Sequence, residues 1–249
     1  MSFREKFFKL KEKVLDSLFP RDIKCIFCGD ELTRESENST CNKCLKSLPF
    51  IKRKCQRCGG EMHLGLGNIC KNCKLNNHNF VQARSVFNYD EGVTKVIHML
   101  KYRGKLYLAK PMSKFMAQEL AIWDVSPDMI TAVPLHKNRE KERGYNQSRL
   151  LAENIAKYVK LPYVEIVDKI VDNPSQTQLG YEKRRENVKG VYKLKPNIRR
   201  KIKGKKILIV DDIFTTGATV DELSKVLLDG GASEIFVLTF AQGVPDKKI

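Results

Sequence analysis

The chain has 249 residues, 42% hydrophobic and 30% charged, with a formal net charge of +17. That length suffices for one α/β domain plus a small module, and no apolar stretch approaches the length of a membrane span. The charge is a statement about partners and not about fold: an anionic substrate, nucleic acid or an acidic surface would be drawn to it.

Residues 1–19 place Phe3, Phe7, Leu10, Val14 and Leu18 at helical spacing, with Lys and Arg between them, and Pro20 stops the pattern. An amphipathic helix over 1–20 packing on the protein itself or on a second subunit is favoured over one lying on a membrane surface. The basic first residues are followed by charge-interrupted sequence, so no secretory signal is expected and a cytoplasmic protein is the default. All eight cysteines then fall in four C-x-x-C pairs: Cys25/Cys28, Cys41/Cys44, Cys55/Cys58 and Cys70/Cys73. Without secretion, such pairs point to metal and not to disulfides. Their spacing fits tetrahedral Zn²⁺, two thiolates from one turn and two from another. Gly29 and Gly59 follow two of the knuckles, where a chain turning around a metal needs a permissive residue. Two consecutive four-thiolate sites are the simplest assignment; a cross-braced pairing of first with third and second with fourth stays open. His63 and His78 fall outside the pairs and are read as surface residues. The cysteine-rich module is bounded at 21–76, and the polar KLNNHNF after Cys73 introduces a domain over 77–249.

Val81–Phe87 reads as a strand, followed by a helix from about Glu91 with Val93, Val96, Ile97 and Leu100 on one face. Lys101 and Arg103 close that helix, the usual placement of cations at a negative dipole end. Asp128–Val133 is a second buried-strand candidate. NREKERGYNQSRLLAENIAKYV beyond it reads as one helix burying Leu150, Leu151, Ile155 and Tyr158, with Arg139, Arg143, Asn146 and Gln147 crowded near its start. Asn173–Leu194 is a long polar excursion of the functional-loop type. Lys195–Lys206 carries seven basic residues and no acid and reads as a solvated linker. Glu234–Phe240 is another buried strand.

The stretch ILIVDDIFTTGAT organises the rest. Ile207–Val210 suits a strand buried on both faces of a parallel sheet, and Asp211 and Asp212 end the apolar run. Thr215, Thr216, Gly217, Ala218 and Thr219 form a small-residue turn into a helix carrying Val220, Leu223, Val226 and Leu227. Free N–H groups and the positive dipole end make that turn a phosphate cradle. Two carboxylates beside a phosphate would repel it unless they bind something else, and a sugar diol is the obvious candidate. It is neither a Walker loop nor a G-x-G-x-x-G turn.

This strand, acid pair and TTGAT turn resemble the type I phosphoribosyltransferases, which bind 5-phosphoribosyl 1-diphosphate. The resemblance implies that Asp211 and Asp212 hold ribose hydroxyls and that Thr215–Thr219 hold the 5′-phosphate. By the same analogy the loop of Pro134, Leu135, His136 and Lys137 approaches the diphosphate, with Arg143 beside it. Gln178 and Arg184, with Arg185 and Asn187, would be donors on a closing loop. LKYRGK, VPLHKNREKERGYNQSRLLAENIA, SQTQLGYEKRRENVKGVY and VDDIFTTGAT, in that order behind paired C-x-x-C knuckles, resemble the ComF (ComFC) family. That implies an α/β fold: a type I phosphoribosyltransferase-like domain, its central parallel sheet flanked by helices, preceded by a small zinc-ribbon-like module. It also implies structural Zn²⁺, Mg²⁺ with the diphosphate, and a cytoplasmic role in natural competence, handling incoming single-stranded DNA beside a ComFA-like helicase. No cysteine is left over as a glutamine-hydrolysing nucleophile, so a glutamine amidophosphoribosyltransferase is not expected. Two classes stay open: a phosphoribosyltransferase of unspecified acceptor, or a nucleic-acid-binding module whose pocket senses a phosphoribosyl group or a 5′-phosphate.

Overall fold

The computed structural model describes residues 23–33, 36–62, 67–173 and 187–243. The helix expected over 1–19, His63 and the loop donors Gln178, Arg184 and Arg185 lie outside the described residues. The chain forms two compact units, 1–48 and 49–249, so the cysteine-rich module is shared between them.

In the smaller unit Lys24 pairs with Glu31 across the first knuckle, and Gly29 makes the turn with φ 85°. The second pair opens a short helix, α1 (Asn42–Ser47), where the Cys41 sulfur accepts a hydrogen bond from the Cys44 amide at 3.4 Å. The larger unit begins by repeating this plan. Lys54 pairs with Glu61, Gly59 turns with φ 70°, and Cys70 opens α2 (Lys71–Leu75).

The larger unit continues with β1 (Gln82–Asn88), α3 (Glu91–Tyr102), α4 (Ala109–Ala121), β2 (Met129–Ala132), α5 (Lys137–Arg143) and α6 (Gln147–Val159). Then come β3 (Val167–Lys169), β4 (Tyr192–Leu194), α7 (Arg199–Ile202), β5 (Lys206–Phe214), α8 (Ala218–Asp229) and β6 (Glu234–Gln242). Four strands form a wholly parallel sheet in the order β1-β6-β5-β2, and β3 and β4 make a separate antiparallel pair. Ile207–Val210 and Ile235, Val237 and Leu238 are fully buried, as continuous apolar strands between two helical layers require. One layer is α4 and α6, which pack on each other and on the strands. On the other face α8, the β3–β4 pair and the second cysteine knuckle share one apolar cluster with Ile207, Ile209 and Val237.

Four elements differ from expectation. The single helix expected beyond residue 138 is two, because Gly144 adopts φ 83° as the C-cap of α5 and Asn146 starts α6 afresh. The restart sets the inward face at Gln147, Ser148, Leu151, Ala152 and Ile155, leaving Tyr158 40% exposed. Helix α4, unassigned from sequence, tolerates Pro111 in its first turn, where the amide would have no helical partner. The basic stretch 195–206 is anchored by the fully buried Ile202 on α7 and by Lys195 Nζ, 2.7 Å from Glu165 Oε2. Finally, β5 does not end at the aspartates. β6 stays paired to it as far as Phe214, while β2 leaves after the Ala132–Val210 pair. Beyond Val210 the sheet is therefore open on the β2 side, and the cleft begins there.

Candidate functional site

The cleft lies at the carboxyl ends of β2 and β5, where open parallel sheets bind ligands, and has a volume of about 220 Å³. Asp211, Asp212, Thr215 and Thr219 line its β5 wall, and Pro134, Leu135, His136 and Arg143 the opposite one. Lys137 faces a neighbouring hollow that shares Pro134 and Leu135 with the cleft. Thr216, Gly217 and Ala218 are not on the wall. They shape it from behind: the Thr216 hydroxyl caps the Ala218 amide at 3.3 Å, and Gly217 is the N-cap of α8 with φ 78°.

Gly217 admits no side chain. A Cβ there would stand 2.7 Å from the Phe214 ring in a backbone conformation that L-residues resist. Gly217→Ala should lower stability by about 1–2 kcal/mol and distort the turn, as thermal melts and ligand titration of the same variant would show together.

The acid pair is held from the other side of the chain. Ser148 Oγ donates to Asp211 Oδ1 at 2.6 Å, and the Asp212 amide donates to the same oxygen at 2.9 Å. Gln147 Nε2 donates to Asp212 Oδ1 at 3.4 Å, and Lys101 Nζ stands 2.5 Å from Asp212 Oδ2. Burial, reinforced by the neighbouring Asp212 charge, pushes Asp211 up to about 7, against the opposing pull of Lys101 and Ser148. The Gly144-Tyr145-Asn146-Gln147-Ser148 segment is what brings these donors to the acids. Tyr145 donates its hydroxyl to the Leu100 carbonyl, and Asn146 donates to the Val133 carbonyl at 3.0 Å while capping the Ser148 and Arg149 amides. Sequence reasoning singled out Asn146 and Gln147 but not Ser148. It assigned Lys101 only to the helix dipole, and nothing in the local sequence distinguishes that role from a cleft cation.

The rim is cationic and aromatic. Arg139, Arg143 and Lys169 line it, with His98 and Tyr102 at one end. Burial, with Arg139 close by, holds the Lys169 amine below its ordinary value. The Arg143 guanidinium lies 5.2 Å over the Tyr102 ring, and His98 meets the same ring edge-on at 5.4 Å. Among the described residues no three Asp, Glu or His side chains converge as a metal cage.

The cysteines gather as two consecutive tetrads, Cys25/Cys28/Cys41/Cys44 and Cys55/Cys58/Cys70/Cys73, and not cross-braced. Tetrahedral zinc with bonds of about 2.3 Å requires sulfurs about 3.8 Å apart. Cys28 and Cys41 are 3.7 Å apart, and Cys58 and Cys70 are 3.8 Å apart. Amides of Cys44 and Cys70 point at ligand sulfurs (3.4 and 3.3 Å), the outer-shell donation that steadies thiolates.

Comparison with known proteins agrees with both halves of this description. Residues 14–74 match the double zinc ribbon domain and residues 146–248 the phosphoribosyl transferase domain. Competence protein F of Haemophilus influenzae is 27% identical over 89% of this chain and 97% of its own length. Competence protein ComFC of Streptococcus pneumoniae is 25% identical over 86% and 97%, and DNA utilization protein YhgH of Escherichia coli is 28% identical over 79% and 87%. With zinc tetrads ahead of an open parallel sheet, a double zinc ribbon match followed by a phosphoribosyl transferase match, and relatives of this kind along most of its length, the chain is similar to the ComF (ComFC) competence proteins.

Proposed function

We propose that the sheet unit binds 5-phosphoribosyl 1-diphosphate in the cleft and that the protein serves the handling of incoming single-stranded DNA during natural competence. One observation carries the first half: an acid pair (Asp212 buried, Asp211 half-buried), a small-residue turn at a helix N-terminus and a cationic rim all border one cleft. Each matches one part of the ligand. Asp211 and Asp212 accept from the ribose hydroxyls, the Thr215–Thr219 turn takes the 5′-phosphate, and Arg139 and Arg143 face the diphosphate. Mg²⁺, when bound with the diphosphate, supplies the charge neutralisation that departure of this group demands. The protein's own part is positioning, with no covalent nucleophile. The second half rests on the relatives named for competence and DNA utilization.

A second reading, a strand-binding module without turnover, gains support from the cleft mouth. Tyr102 is 58% exposed there, flanked by His98 and Arg143, an arrangement on which an unstacked base can lie. Calorimetric titration with 5-phosphoribosyl 1-diphosphate and Mg²⁺ tests the first reading: the wild type should bind and the Asp211→Asn/Asp212→Asn variant should not. Retained, salt-sensitive binding of single-stranded DNA by that variant would mark a separate strand site. If the double variant binds the diphosphate as the wild type does, the acids are not the sugar site.

A further inference from the structure

Lys101 reaches the acid pair from a helix more than a hundred residues away in the chain. It sits at the last turn of α3, its side chain 19% exposed and its ammonium 2.5 Å from Asp212 Oδ2, on the wall of the cleft. Asp212 is 2% exposed. A carboxylate so deeply placed beside a second one would be repelled by it and starved of water, and its ionised form then needs a cation in direct contact. Burial works against the ammonium too, yet Asp212 and Asp211 together hold Lys101 above its ordinary value. The position of the amine is not left to a flexible stem. The Tyr145 hydroxyl clips the Leu100 carbonyl, one residue before Lys101, onto the segment that carries Gln147 and Ser148. One ammonium has three N–H donors, and only Asp212 among the described carboxylates is in contact with this one.

We propose that Lys101 is the resident counter-ion and positioning residue of the sugar-phosphate site: it offsets the acid pair so that an anionic ligand can enter, and keeps Asp212 turned into the cleft to receive a sugar hydroxyl. The inference rests on the phosphoribosyl reading of the cleft and adds to it a cation supplied by the protein, not by Mg²⁺. The contrary role is a latch, in which the ammonium occupies the carboxylate and the sugar must displace it. The two roles predict opposite effects of removing the charge.

The probe is ribose 5-phosphate in metal-free buffer, since it carries the sugar and the 5′-phosphate without a diphosphate to recruit Mg²⁺. Lys101→Met should weaken its binding about tenfold or more, and Lys101→Arg should recover most of the loss. In carbon-13 carboxyl spectra of the ligand-free protein, the Asp211 midpoint should move to higher pH in Lys101→Met, which removes the opposing pull of the ammonium, and stay in place in Lys101→Arg, a change that loss of packing alone would not give. Unchanged or tighter binding by Lys101→Met overturns the proposal in favour of the latch, and leaves the cleft's assignment intact. If the wild type binds neither ribose 5-phosphate nor the diphosphate, the functional reading fails instead, and an unmoved carboxyl midpoint in Lys101→Met would then overturn the counter-ion role as well. Should Lys101→Met not fold, Lys101→Met/Asp212→Asn removes both charges. Measured against Asp212→Asn alone, equal or tighter affinity in that double variant overturns the proposal, and a further loss of about tenfold supports it.

Discussion

Replacing Cys58 by serine should unfold the sheet unit, whereas replacing Cys28 should cost one zinc and leave the sheet intact. The two cysteines hold equivalent places in two similar knuckles, and only their surroundings differ. Cys28 is exposed, in the smaller unit. Cys55, Cys58 and Cys73 are buried in the same apolar cluster as Phe80, Ile209 and Phe214. The second knuckle is also tied to β1 by main chain: the Ala83 amide donates to the Arg57 carbonyl at 2.7 Å, and the Ile51 amide to the Val86 carbonyl at 3.1 Å. Gly59 lies so close that a Cβ would stand 2.5 Å from the Ala83 carbonyl oxygen. Lys54 Nζ reaches Glu119 on α4 at 2.6 Å, fixing the same segment to the opposite helical layer. Without metal, several thiols would remain packed against each other in the core, and the loss is on the order of 5 kcal/mol, comparable with the whole stability of many domains. Zinc content and hydrogen exchange of the β5 and β6 amides check this. Cys58→Ser should lose their protection, and Cys28→Ser should keep it while binding one zinc fewer. Equal protection in both variants would show that the second centre is peripheral to the sheet.

The parts of this molecule that could be read from sequence are those in which the chemistry is local. The apolar run Ile207–Val210, the small turn and the helix behind it are contiguous, so period and composition identify them together. The cysteine tetrads announce themselves by spacing, although spacing could not choose between consecutive and cross-braced pairing; the packing of each pair of knuckles made that choice. What escaped notice depends on distance along the chain. Lys101 is a cation at a helix end, and its sequence neighbourhood is the same whether it faces water or Asp212. Ser148 is a small polar residue in a helix, indistinguishable from a surface one until α6 is seen to start at Asn146. The break at Gly144 was hidden because the run before it, KNREKER, is wholly polar and carries no apolar period whose interruption could mark a helix end. The extension of β5 through its acids follows from β6 running alongside, information that lies in the partner strand.

Asp211→Asn should stabilise the ligand-free protein and weaken its ligand, and the stabilisation should grow with pH. An aspartate in the unfolded chain titrates near 4, whereas burial and the Asp212 charge push Asp211 up to about 7 in the fold. For an acid raised in this way the folded state binds the proton more tightly. Its contribution to stability is complete below about pH 4 and is lost as pH rises to about 7, beyond which the cost is constant. Asparagine keeps the shape, and its carbonyl oxygen can still accept from Ser148 and from the Asp212 amide, the two donors now on Asp211 Oδ1. It also leaves Lys101 and Asp212 as a one-to-one pair. The comparison belongs above pH 5.5, where the zinc thiolates are not displaced by protons. Between pH 5.5 and 8 the variant's advantage should widen by about 2 kcal/mol, or roughly 4–8 °C in melting temperature. Over the same range its affinity for 5-phosphoribosyl 1-diphosphate should fall about tenfold or more, because a neutral amide accepts from a sugar hydroxyl less strongly than a carboxylate. A stability difference that stays flat across this range would mean that Asp211 is ionised throughout in the fold. The site would then lack the electrostatic strain that a ligand's hydroxyls are expected to relieve.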